Sequence, residues 1–144
     1  MKNEEILIQK ITTRIRKQMA DAEARREIEE AQLLDIYALG YLFGFSSGAI
    51  THQGVRRYRE KIYLLTQVYG ELFGNYSRLL LEESLDLHKN VRFLDGANAG
   101  WEDNIRWLSR GETPVGLTRF LCEGEHTLSL ADWFPQLIGE CCPA

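Results

Sequence analysis

Apolar residues near the start of the chain recur at intervals of three and four. Ile8, Ile11, Ile15, Met19 and Ala22 form one narrow stripe on a surface otherwise built of Lys, Arg, Glu and Gln. Gln18 takes one slot where an apolar residue is expected. The pattern predicts one long helix, or two end to end, over residues 3–34. A stripe this narrow suits a helix that docks on a partner helix, so Ile8, Ile11, Ile15 and Met19 form a candidate homodimer interface. A helix lying on its own domain is the equal alternative. From Ala31 the stripe broadens to Leu34, Tyr37, Ala38, Tyr41, Leu42 and Phe45, which marks a central, buried helix. Gly40, Gly44 and Gly48 stand four apart on one side of it, where small residues let another backbone come close. Gly70 and Gly74 repeat the spacing, and GELFG nearly repeats GYLFG.

Further along, Ile62, Leu65, Val68, Tyr69, Leu72, Phe73 and Tyr76 predict a third helix over 55–81, continuing through Leu79–Phe93 after a kink near Asn75. The turn formers of Asp95–Gly100, DGANAG, predict a break. A short helix Trp101–Ser109 then ends at Gly111, and Thr113-Pro114 opens another that runs to about Leu121. Beyond it HTLSL alternates like a strand, while Ser129 and Asp132 could cap a last helix that Pro135 kinks. The expected fold is all-α: a single helical domain of five to seven helices with a long N-terminal helix. At most one short β-hairpin is expected, near 118–130. Residues 1–34 would be the arm, 35–95 the helical core and 96–144 a short-helix subdomain.

Composition adds little to that outline. An apolar fraction of 44% with 26% charged residues is ordinary for a globular chain, and the net charge of -4 opposes any whole-surface attraction to nucleic acid. The charge is unevenly spread. Residues 1–61 carry 11 Lys/Arg against 9 Asp/Glu, and residues 62–144 carry 6 against 12. A nucleic-acid contact therefore belongs to the front half. An acidic, Trp-bearing back half (Trp101, Trp107, Trp133) suits another protein. The N-terminus has no signal-peptide layout, and Ile36–Phe45 is too short an apolar run to cross a bilayer. Cysteines odd in number, late, and partly adjacent (Cys122, Cys141, Cys142) form no disulfide framework. A cytoplasmic protein is expected.

Residues 37–60 carry the one pointed hint. Gly40 would sit where two helices cross, Gly44 at a tight turn, Ser46 as cap of a second helix, and Ile50 on its inner face. The run LFGFSSGAIT resembles the turn segment of helix-turn-helix DNA-binding proteins, over about one seventh of the chain. That resemblance implies a DNA-binding regulator that works as a dimer. Ser47, Thr51, His52 and Gln53 would approach bases, and Arg56, Arg57, Arg59 and Lys61 would hold phosphates. Gln53 stands where a second apolar anchor is expected, and Gly48 and Gly54 weaken a helix there. The other reading is a plain hairpin: a core helix over 31–45, SSGAITHQG as a surface loop, and a new helix from Val55. The basic first turn VRRYREK is unfavourable beside a helix N-terminus; it is either solvated or waiting for an anion.

Enzymatic signatures are missing. The sequence has no GxSxG, no phosphate-cradling glycine loop followed by Lys, and no GxGxxG after a strand. Cys122, His126, Cys141 and Cys142 have zinc-ligand chemistry in a spacing that fits no common module. Glu82, Asp86 and His88 do not share one helical face. No metal or cofactor is expected. The reading is a non-enzymatic regulator acting by macromolecular binding, with DNA or a protein alone as its target.

Overall fold

The structure, a computed structural model, describes residues 3–25 and 35–123. It is all-α. The helices are α1 (Asn3–Arg25), α2 (Ile36–His52), α3 (Tyr58–Phe73), α4 (Ser77–Asp86), α5 (Val91–Arg110) and α6 (Gly116–Glu123). Single 3-10 turns at Gly74–Tyr76 and Leu87–Lys89 join α3 to α4 and α4 to α5.

The central helix is α2, which packs along its length on α5 and also meets α1, α3 and α6. Asp35 starts it by accepting a hydrogen bond from the Tyr37 N–H at 2.8 Å, which satisfies one of the free donors of the first turn. The same carboxylate takes two hydrogen bonds from Arg92 of α5, at 3.2 and 3.1 Å. Both side chains are buried, and the guanidinium also lies over the rings of Tyr37 and Phe120. This pair ties the beginning of α2 to the beginning of α5.

Those two helices run parallel, and glycine sets their distance. A Cβ at Gly40 would strike the Phe93 carbonyl, and one at Gly44 the Ala97 backbone. In return, a Cβ at Gly96 would strike the Tyr37 carbonyl and one at Gly100 the Tyr41 carbonyl. Each helix thus offers hydrogens where the other offers carbonyl oxygens, an approach that side chains would prevent. Each interior glycine costs about 1 kcal/mol of helix propensity, so the close contact must return more than that sum. Gly40 and Gly44 do face a second backbone, as the spacing of the row predicts, while Gly48 faces the side chains of Asn104 and Trp101.

Its partner corrects the sequence reading. DGANAG is no break but the middle of α5, and Gly96 and Gly100 are the other half of the contact. The near-repeat GELFG works differently. A Cβ on Gly70 would meet nothing, and Gly74 ends α3 with φ of 56°. The kink expected near Asn75 is the break at Gly74–Tyr76.

The stripe of α1 is also redirected. Ile11 and Ile15 are fully buried, Ile8 nearly so and Met19 partly, all within the domain's own core against α3, α6 and α2. They are not a free dimer surface, because the rest of the domain already covers the stripe. Gln18, the misfit in that stripe, holds the last described helix. Its Oε1 accepts from the Leu117 N–H at 2.8 Å, with the Thr118 N–H at 3.4 Å. Its backbone carbonyl accepts from Thr118 Oγ1 at 2.8 Å. Helix α6 therefore begins at Gly116, capped from α1, rather than at Thr113-Pro114. Residues 118–123 of the expected hairpin are helix; its remainder, and the tail helix, lie outside the described residues.

Candidate functional site

The turn predicted at Gly44 does not form. Helix α2 runs unbroken from Ile36 to His52, since Gly44 is spent on contact with Ala97 rather than on a left-handed corner. Ser46 is fully buried and caps nothing, and Ser47 and Thr51 are half-covered on the side of α2. The plain-hairpin reading moves as well: SSGAITH is helical, and only Gln53–Arg57 forms the connection. No separate second helix therefore carries Ser47, Thr51, His52 and Gln53 outward as a reading face. His52 turns back instead. Its Nδ1 lies 2.7 Å from the Gly48 carbonyl, an approach that makes it a donor, with the Asn104 amide 3.1 Å away and Trp101 beside the ring.

The structure does bring the basic residues together. Arg56, Arg57 and Arg59 are exposed and Lys61 half-exposed around the start of α3. Arg57 is the N-cap of that helix, and its side chain makes no capping hydrogen bond. Among the described residues none of the four cations is in an ion pair. Two partly exposed tyrosines, Tyr58 and Tyr63, stand among them. Cations and aromatic rings interleaved at a helix start suit phosphate and base stacking.

A second surface escaped the sequence reading. Helix α5 buries Arg92, Phe93, Gly96, Gly100 and Asn104. On its other side Val91, Leu94, Trp101, Ile105 and Leu108 are 70, 40, 37, 39 and 39% exposed. With exposed Asn98 they fill six consecutive a and d positions of a heptad: a at 91, 98 and 105, d at 94, 101 and 108. The signal lay in plain view but was cut in two by reading DGANAG as a loop. Trp101 and Trp107 face different ways. Trp107 stacks on Phe45 at 5.6 Å beneath Arg14, while Trp101 reaches the surface.

Inside, three side chains form a buried polar chain. Tyr41 Oη donates to Asp103 Oδ2 at 2.6 Å and accepts from Gln18 Nε2 at 3.1 Å, and the Gly116 N–H donates to the same Asp103 oxygen at 2.9 Å. Burial, then the hydrogen bond to Asp103, pushes the Tyr41 phenol far above its ordinary value. Burial does the same to Tyr69, partly opposed by its hydrogen bond with Ser84. The Gln18–Tyr41–Asp103 chain thus ties α1, α2, α5 and α6 together.

Among the described residues no set of three His, Cys, Asp or Glu side chains could hold a metal ion. Cys122 is half-buried on α6, and His126, Cys141 and Cys142 lie outside the described residues. No described helix is long and apolar enough to cross a membrane. Comparison of the chain with protein-family models, with curated proteins and with solved structures finds no match.

Proposed function

We propose that the protein is a non-enzymatic interaction module of the cytoplasm that acts by docking another polypeptide on the exposed face of α5. The observation that carries this reading is the heptad row Val91–Leu94–Asn98–Trp101–Ile105–Leu108, apolar except at Asn98 and open to solvent. Row and glycine contact occupy different sides of one helix, with Trp101 at the border beside His52, so a partner can seat without entering the glycine contact. Large apolar residues grouped at a surface, with a tryptophan among them, are what protein interfaces are built from. The test is capture from a lysate of the source cells by immobilised protein. Val91→Glu and Leu108→Glu should abolish capture and leave the helical circular dichroism unchanged; undiminished capture refutes the reading.

A second reading rests on its own observation, the cations Arg56, Arg57, Arg59 and Lys61 at the start of α3, which have no ion-pair partner among the described residues. In it the protein is a DNA-binding regulator whose contacts are to phosphate. It predicts DNA binding that weakens steeply with salt and is lost in Arg56→Ala/Arg57→Ala. Absent or salt-insensitive binding refutes it.

A further inference from the structure

We infer that the partner seated on α5 is the α5 of a second copy, running parallel to the first, with the two Asn98 side chains paired across the seam. The inference rests on the docking reading above and names its occupant.

Three observations converge. The first is the pattern itself. Six successive a and d positions keep strict heptad spacing over most of α5, the repeat that lets two helices wind together side by side. The second is Asn98. An amide at a central a position costs stability against an arbitrary apolar partner, since burial leaves its donor and acceptor empty. A second copy in parallel register places the same amide opposite it, so each satisfies the other; a lone Asn at an a position is the device that fixes this register. The third is charge. The e positions Asp95, Glu102 and Ser109 are exposed beside the seam, whereas the g positions Ala97 and Asn104 are turned toward α2, Ala97 against Gly44 and Asn104 fully buried. A parallel pair sets each e carboxylate toward the partner's g side, which presents no like charge. An antiparallel pair sets e against e and brings Asp95 and Glu102 onto the partner's Glu102 and Asp95.

The area is sufficient for a modest dimer. With whole apolar side chains of about 150–250 Å², the exposed fractions leave roughly 400 Å² of apolar surface on each copy. That is about half of the roughly 800 Å² each partner gives to a standard interface. Asn98 and the flanking Asp95, Glu102 and Arg106 would add the rest, giving a dimer that dissociates on dilution.

Sedimentation over a broad concentration range should show a monomer–dimer equilibrium. Val91→Glu and Leu108→Glu should each weaken it about tenfold or more with helicity retained. Register is read by cross-linking full-length chain in which Cys122, Cys141 and Cys142 are replaced by Ser. Leu94→Cys, which keeps Asn98, should oxidise to a covalent dimer, as residues facing across a parallel seam come within disulfide reach. Tyr76→Cys, exposed elsewhere, should not. A dimer indifferent to Val91→Glu and Leu108→Glu overturns the proposal, as does a dimer broken by both in which Leu94→Cys fails to link. A monomer that still captures other proteins through Val91 and Leu108 overturns self-pairing and spares the docking reading. A monomer that captures nothing overturns both.

Discussion

The glycine contact between α2 and α5 makes one substitution, Gly→Ala, give different results inside the contact, at its edge and away from it. In a helix interior the added methyl is worth about 1 kcal/mol in propensity. At Gly70 that gain stands alone, because a Cβ there meets nothing within 4 Å. Gly70→Ala should therefore stabilise by about 0.5–1 kcal/mol. At Gly44 the Cβ would fall 2.6 Å from the Ala97 carbonyl carbon and 2.7 Å from its Cα, with the carbonyl oxygen nearer still. All three obstacles are backbone, so no rotamer change relieves them and the helices must separate. Overpacking costs about 1–3 kcal/mol and sometimes more. A strain of about 3 kcal/mol or more less the propensity gain leaves Gly44→Ala about 2 kcal/mol or more less stable. Gly48→Ala should fall between, because its Cβ meets side-chain atoms, Asn104 Nδ2 at 2.8 Å and Trp101 Cε3 at 3.3 Å. Urea and thermal melts followed by circular dichroism read all three. At about 4 °C per kcal/mol for a chain of this size, Gly44→Ala should lower Tm by about 8 °C and Gly70→Ala raise it by about 2–4 °C. A Gly44→Ala protein as stable as wild type would refute the close approach of α2 and α5.

Three other outcomes follow from the buried polar groups. Gln18→Leu leaves the Leu117 N–H without its acceptor and Tyr41 without a donor, so it should cost about 2–4 kcal/mol, read as a lower urea midpoint; an unchanged midpoint would dismiss the capping role. Arg92→Leu strands the Asp35 carboxylate in the core and should cost about 3–5 kcal/mol. The Asp35→Asn/Arg92→Leu double variant should recover most of it, since the amide oxygen can still accept from Tyr37. In alkali the direction is set by the phenols. Tyr41 and Tyr69 are raised above the ordinary 10.0 in the folded state, so their contribution is intact below that pH and is lost as pH rises past it, where only the unfolded chain ionises. Stability should fall above about pH 10, with their phenolate absorbance appearing only as the helices melt.

Much of this architecture could be read from the residues. The long first helix, the buried α2, the stop at Gly111 and the meaning of the Gly40–Gly44–Gly48 row all follow from period and size. What misled was glycine itself. Gly96 and Gly100 beside Asp95 and Asn98 have the composition of a loop, and only a second glycine-bearing helix at contact distance makes helix the better state. The same ambiguity made Gly44 resemble a turn. Gln18 was legible only as a defect, because its partner at Leu117 lies 99 residues away. The candidate surface on α5 was hidden by the first of these errors, since a heptad cannot be counted across a supposed break. The basic cluster needed no fold to be found. The plain-hairpin reading already set it in the first turn of a helix from Val55, and the structure starts that helix at Tyr58.

The Gln18 clasp also dictates an order of events during synthesis. The first helix leaves the ribosome early, but the N–H groups that its amide holds belong to residues 117 and 118. At about 5–20 residues per second, α1 waits on the order of 5–20 s for them. Helix α6, with 8 residues, is too short to persist alone and forms only against the elements made before it. The domain therefore closes only after most of its chain has emerged, and until then the apolar side of α1 is uncovered and within reach of chaperones.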